Sequence, residues 1–215
     1  MKNKIVKENY VYMIVILLMI IIFSIVMKSS LHDKIILFDI EIREFVQEMF
    51  NKSLTSIFSI ITNFGDLYIP IIIIMCIFVF KKNKWYFYLL SCGYLFSGVI
   101  TYVSKLLASR PRPIEALIDI PKSFSFPSGH TLTSLVFYCL LCYLLTFKSS
   151  KTVKLISFIF ACIFVCTIAV SRIYLGVHYF SDVFGGYLIG IPCLMLIINI
   201  IENNFREKLK WEVYY

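Results

Sequence analysis

Charged side chains are scarce in this sequence: Asp, Glu, Lys and Arg together make up 16% of 215 residues, and hydrophobic residues 60%. An ordinary soluble domain is about 45–50% apolar. Mean hydropathy is +0.84. A soluble fold of this length would lack the polar surface to stay dispersed, so lipid is the expected solvent. The chain also lacks cysteines in its polar segments. All seven (Cys76, Cys92, Cys139, Cys142, Cys162, Cys166 and Cys193) fall in apolar runs. That excludes a secreted disulfide framework and predicts buried, inert thiols on membrane helices. Cys139 and Cys142 have CxxC spacing, but no strand–helix redox context surrounds them.

Other absences narrow the reading further. Lys2, Lys4 and Lys7 precede an apolar run, yet Val26-Met27-Lys28-Ser29-Ser30 offers no small-residue cleavage site. The first apolar run therefore reads as a retained anchor, not a signal peptide. There is no internal repeat, no low-complexity segment beyond the apolar runs, and no soluble second domain. A single membrane-embedded domain over 1–215 is expected.

A membrane helix needs about 20 mostly apolar residues. Six candidates meet or approach this: Val11–Met27, Leu67–Phe80, Trp85–Val103, Thr131–Phe147, Val153–Val170 and Val183–Ile201. The expected fold class is all-α, a polytopic bundle of six transmembrane helices. The second span is short: its residues rise about 21 Å as helix, against a hydrocarbon core of about 30 Å, so it should extend at one or both ends. Gly186 and Gly190 give the last span a small-residue face suited to helix packing.

Orientation follows from the basic residues. With the N-terminus cytoplasmic, the inner segments hold twelve of the 21 basic residues and only four acidic ones. The outer segments then hold nine of each. The whole net charge of +8 thus faces one side. It reads as membrane topology, with attraction to anionic inner-leaflet lipid, and not as a nucleic-acid surface. Both termini are expected inside. The stretch 29–53 is too polar to span. Its apolar positions Ile36, Leu37, Ile40, Val46, Met49 and Phe50 recur at roughly helical spacing, which suggests an outer amphipathic helix on the bilayer. The tail Glu202–Tyr215 reads as a surface helix without chemistry of its own.

Chemistry gathers in three outward segments. The first runs from Lys105 through Ser109-Arg110-Pro111 to Arg112-Pro113. Snorkelling at the interface would account for Lys105 by itself. The second is Pro127-Ser128-Gly129-His130, directly before an apolar helix. Ser128 there is a natural N-cap. A helix start also exposes free N–H groups suited to phosphate, and Gly129 lets the backbone come close. The third runs from Ser171-Arg172 to His178 and Asp182. On a helix, residues four apart share a face. A carboxylate that accepts the Nδ1 proton of His178 would leave Nε2 as nucleophile. Cations, helix-end amides, a hydroxyl, two histidines and a carboxylate together fit phosphoryl transfer, which depends on positioning and charge stabilisation.

Lys-x6-Arg-Pro, Pro-Ser-Gly-His and Ser-Arg-x5-His-x3-Asp stand here in order, at Lys105–Pro113, Pro127–His130 and Ser171–Asp182. In this the chain resembles the type 2 phosphatidic acid phosphatase family, and its span pattern resembles the family's six-helix membrane members. The resemblance implies roles residue by residue. His178 is the nucleophile that forms a phosphohistidine, Asp182 orients it, and His130 is the general acid. Lys105, Arg112, Ser128, Gly129 and Arg172 bind the phosphate. No metal or other cofactor is implied, and the outer segments show no acidic cluster with divalent-ligand spacing.

The expected activity is hydrolysis of a lipid phosphate or lipid pyrophosphate at the outer face. Undecaprenyl pyrophosphate and phosphatidylglycerol phosphate lead by family analogy. Transfer of the phosphate to another acceptor is an alternative. Transport is a third class, but the polar residues cluster at one face and leave the span interiors nearly bare. The segments leave the lipid, the oligomeric state and the role of Arg110 open.

Overall fold

The computed structural model describes residues 2–29 and 31–210, the side chains of residues 2–7 excepted. The topology argument from Lys2, Lys4 and Lys7, and the last five residues of the expected surface tail, therefore lie outside what is described. Helices are the regular elements of the described residues, in the order α1 (Lys2–Val26), α2 (Leu31–Gln47), α3 (Lys52–Thr62), a 3-10 turn (Asn63–Gly65), α4 (Tyr68–Phe80), α5 (Trp85–Ala108), α6 (Gly129–Leu145), α7 (Lys151–Tyr174), α8 (Phe180–Ile200), a π turn (Ile201–Phe205) and α9 (Arg206–Lys210), with an irregular segment between α5 and α6.

Helices stand at all six expected places, but not all have the length of a crossing. Four are long and apolar enough: Glu8–Val26, Trp85–Ala108, Lys151–Tyr174 and Phe180–Lys210. Lys52–Gly65 and Tyr68–Phe80 add a fifth if the pair, bent by 51°, is one broken span. The helical pattern simply starts earlier than the short second span suggests. α6 has 17 residues and rises only about 25 Å. It packs on α5, α7 and α8 at once, and its side chains are mostly buried. A helix so enclosed meets protein and not lipid, and does not need the full bilayer length.

Local chemistry sets the helix starts near the site. Ser128 caps α6, its Oγ accepting from Thr131 N–H at 3.5 Å. Asn51 caps α3, accepting from Leu54 N–H at 2.8 Å. Asp182 reaches back to the Tyr179 N–H at the start of α8, 2.9 Å away. These bonds satisfy donors that a helix start leaves free. The α6 and α8 starts are also tied together, as Ser128 N–H donates to the Asp182 carbonyl at 2.9 Å.

The small residues of α8 make that pairing close. A Cβ on Gly186 would stand 3.1 Å from the Ser128 carbonyl oxygen, and one on Gly190 3.0 Å from Leu135. The packing role expected for this pair holds. Gly176 has φ +72°, and a Cβ there would meet the Glu115 carbonyl oxygen at 2.7 Å. Only glycine fits that turn, which brings the loop after α5 against the loop that carries His178.

All seven cysteines are free. Cys139 and Cys193 are buried, but Cys76, Cys92 and Cys166 lie on exposed helix faces. Burial was expected for all seven. It fails where an apolar helix turns outward, because lipid accepts a thiol as readily as a protein core does.

Candidate active site

His178 lies in the turn between α7 and α8 and is almost wholly buried. Its Nε2 faces Arg112 Nη1 at 3.1 Å. A guanidinium N–H only donates, so Nε2 carries the lone pair and the ring proton sits on Nδ1. Nδ1 lies 3.4 Å from both Asp182 Oδ2 and Ser125 Oγ. Burial pushes the His178 pKa well below the ordinary histidine value. Asp182 opposes that, while Arg112 and Lys105 push the same way. The imidazole is therefore neutral at physiological pH, with its free lone pair turned towards cations.

Asp182 is held from every side. Its Oδ2 accepts from Ser125 Oγ at 2.5 Å and from Tyr179 N–H at 2.9 Å. Its Oδ1 accepts from Arg110 Nη1 at 2.6 Å. Arg110 Nη2 donates in turn to Asp39 Oδ2 at 2.7 Å, and its guanidinium lies 4.3 Å above the Tyr179 ring. Asp39 also accepts from Ser181, at 2.9 Å from the backbone N–H and 2.5 Å from the hydroxyl. Burial acts to lower the Arg110 pKa, but Asp182 and Asp39 outweigh it and raise the value. Arg110 is thus committed to two carboxylates.

The three cations expected to bind phosphate converge on the same place, each within electrostatic range of the other two. Arg112 is fixed by Ser123 and Val177, with Nε to the Ser123 carbonyl at 2.7 Å and Nη1 to the Val177 carbonyl at 2.8 Å. Burial lowers its pKa and Asp182 partly restores it. Lys105 donates to the carbonyls of Phe124 and Ser125, which leaves one of its three N–H groups free of these bonds. Arg172 is buried, donates from Nη1 to Thr62 Oγ1 at 2.5 Å, and has no partner at Nε. A buried guanidinium donor without an acceptor suits an anion.

Gly129 opens α6 beside these groups, where a Cβ would stand 3.8 Å from Lys105 Cε. Ser128 is fully buried, and its Oγ is occupied as a cap and accepts also from the Thr131 hydroxyl at 3.0 Å. Its own proton stays available to donate. His130 follows, with Nε2 3.0 Å from Asp66 Oδ1 but off the line of a formed hydrogen bond. Its ring lies against the backbone at Gly65, where a Cβ would be 2.5 Å from Cδ2. His130 is within electrostatic range of Arg172 and Arg112. Every residue expected from the three motifs is thus brought to one cluster. Among the described residues no group of three or more His, Cys, Asp or Glu side chains converges to hold a metal ion.

The PAP2 superfamily pattern matches residues 85–206, more than half of the chain and all three motifs. The chain belongs to the PAP2 superfamily. It is 31% identical over 156 residues to phosphatidylglycerophosphatase B of Bacillus subtilis (strain 168), covering 70% of this chain and 74% of that one. It is 27% identical over 209 residues to the undecaprenyl-diphosphatase of Sulfolobus acidocaldarius, covering 94% and 97%. Its fold is similar to that of a transmembrane PAP2-type phosphatidylglycerolphosphate phosphatase from Bacillus subtilis, with TM-score 0.79, 24% identity, and coverage of 90% and 97%. The expected family and the phosphatase class stand, as does a membrane-protein fold.

Five residues of the cluster escape a reading of the PAP2 motifs: Asp39, Thr62, Asp66, Arg110 and Ser125. Arg110 and Ser125 lie between motif positions, where the pattern assigns nothing. Asp39 had a usable signal. It stands on the inward register of α2 with Ile35, Ile42 and Val46, where an apolar residue belongs. Asp66 sits at the α3–α4 bend, and a loop end accounts for it equally well from sequence. Nothing local ties it to His130, 64 positions away.

Proposed function

We propose that this chain hydrolyses a lipid phosphate or lipid pyrophosphate at the outer membrane face, through a phosphohistidine on His178 and without a metal ion. The observation that carries the reading is the placement of the His178 ring between Arg112 and Asp182, which fixes its tautomer. The Nε2 lone pair faces Arg112 at 3.1 Å, and the Nδ1 proton faces Asp182. In the first step the lone pair forms the N–P bond. The P–O bond to the leaving group breaks, and its oxygen takes a proton from His130. In the second step the His130 imidazole takes a proton from water. The water oxygen bonds to phosphorus, and the N–P electrons return to Nε2. Lys105, Arg112 and Arg172 offset the nearly two negative charges of a phosphate monoester, with Ser128 and the Gly129 amide as further donors.

The relatives support a lipid substrate, and by analogy phosphatidylglycerol phosphate and undecaprenyl pyrophosphate lead. The bilayer would hold the tails while the headgroup enters the cluster. The charge asymmetry fits six crossings with both termini in the cytoplasm, and the contacts of Asp39, Thr62 and Asp66 with Arg110, Arg172 and His130 fit the whole chain as one catalytic unit. On that reading the exposed apolar residues of α2, among them Leu37, Phe38 and Phe45, lie on the outer leaflet.

The test is phosphate release from a panel of lipid phosphates by purified protein in detergent with chelator present. Wild type should release phosphate, and His178→Ala should lose activity by at least about a thousandfold, the scale of losing a nucleophile. Survival of activity in His178→Ala overturns the nucleophile. Dependence on added metal overturns the metal-free reaction. Adding an alcohol acceptor in the same assay reads phosphate transfer, because an intercepted phosphohistidine gives a new ester.

A further inference from the structure

The second carboxylate behind His178 belongs to α2, outside the residues that carry the family motifs. We propose that Asp39 is a positioning residue for the nucleophile, acting through Arg110 on Asp182. The inference rests on His178 as the nucleophile.

The chain of contacts is continuous and dry. Asp39 Oδ2 pairs with Arg110 Nη2 at 2.7 Å, and Arg110 Nη1 pairs with Asp182 Oδ1 at 2.6 Å. All three side chains are fully buried. A charge so removed from water is costly unless its partner is in place. Asp39 has no other cation within bonding distance among the described residues, and its remaining bonds go to Ser181, one residue from Asp182.

Charge counting shows what Asp39 adds. His178 needs a negative neighbour, because attack through Nε2 with the proton kept on Nδ1 leaves the ring cationic. Arg110 against Asp182 alone would cancel that negative charge. With Asp39 present, the two carboxylates and one guanidinium sum to minus one before attack, and the set with the phosphorylated imidazolium ring sums to zero. Without Asp39 those sums become zero and plus one, in a site where screening is weak. Asp39 also fixes which Arg110 nitrogen meets Asp182, and so which carboxylate oxygen is left for His178. The phosphate ligands Lys105, Arg112 and Arg172 make no bond to Asp39. Its effect belongs to kcat and to phosphohistidine formation, not to substrate binding.

The test is a double-mutant cycle on purified full-length protein, with phosphatidylglycerol phosphate and farnesyl pyrophosphate as probes. Asp39→Asn keeps the shape and removes the charge. It should lower kcat about 10–100-fold, the scale seen when an outer partner of a working histidine is lost, with KM changed less than about threefold. Asp39→Glu should recover part of kcat. In an Asp182→Asn background, Asp39→Asn should lower kcat clearly less than it does in the wild type, because the contact route to His178 is gone and only the through-space charge is lost. A role in folding alone predicts the same loss in both backgrounds, and that additivity overturns the proposal. So does wild-type kcat in Asp39→Asn. If Asp39→Asn does not fold, Arg110→Lys takes its place in the cycle, since an ammonium keeps the charge but cannot bridge two carboxylates as a planar fork does; the same reduced or additive outcomes then decide. His178→Ala in parallel separates the two claims. Activity in His178→Ala removes the nucleophile itself, whereas a dead His178→Ala beside an unimpaired Asp39→Asn removes only the role of Asp39.

Discussion

At the scale of single residues, burial and hydrogen-bond direction decide what a histidine does. Burial and two nearby cations hold the His178 pKa well below its ordinary value, against the pull of Asp182. The acid limb of kcat/KM should therefore lie below pH 6.5, the ordinary histidine value, because the free enzyme keeps its lone pair down to that range. An acid limb at or above pH 6.5 in a pH–rate profile contradicts a buried neutral nucleophile. The stability sign follows from the same shift. Below pH 6.5 the unfolded chain takes up a proton at this position before the folded chain does. The contribution of His178 to stability is therefore present above pH 6.5 and erodes as pH falls below it. Arg110 shows the reverse case: two carboxylates raise its pKa despite burial. Both of its Nη groups are taken up by carboxylates, whereas Arg112 bonds only backbone carbonyls, a hydroxyl and the His178 ring.

At the scale of elements, the two halves of the site are braced by different N-terminal pieces. α2 delivers Asp39 to Arg110 and, through it, to Asp182 beside His178. The end of α3 and the turn after it deliver Thr62 to Arg172, and Gly65 and Asp66 to His130. None of these lies within residues 85–206, which the superfamily pattern covers. The turn leaves no slack. A Cβ on Gly65 would stand 2.5 Å from the His130 ring and 3.0 Å from Ile168. Gly65→Ala must therefore displace the imidazole, and kcat should fall at least about tenfold, since misplacing a catalytic group by about 1 Å can cost a hundredfold. Steady-state kinetics beside a thermal melt in detergent check this. A loss of kcat with a melting point within a few degrees of wild type supports the brace, and unchanged kcat refutes it.

At the scale of the whole molecule, the basic residues predict which side the cluster faces. A cysteine placed at Lys122, in the loop after α5, should react with a membrane-impermeant thiol reagent in intact cells. One placed at Lys148, in the loop after α6, should react only after the membrane is opened. Labelling in the opposite pattern would invert the topology and move the reaction to the cytoplasmic face. Three native cysteines are exposed on helix faces, so the comparison is made in a cysteine-free background.

Composition, hydropathy and three motif segments were enough to read a helical membrane protein, its family and the residues that gather at the site. Those features are local: an apolar run declares its solvent, and a motif carries its chemistry within a dozen residues. The number of crossings was not legible in the same way. α6 is short because it is enclosed by α5, α7 and α8, and enclosure is a property of neighbours. The partners of the site residues were not legible either. Asp39 meets Arg110 across 71 positions, and Asp66 meets His130 across 64. No spacing rule spans such distances, because the pairing exists only once the helices pack. The sequence by itself determined that three polar segments carry one family pattern, and tertiary structure alone decided which buried charges meet their side chains.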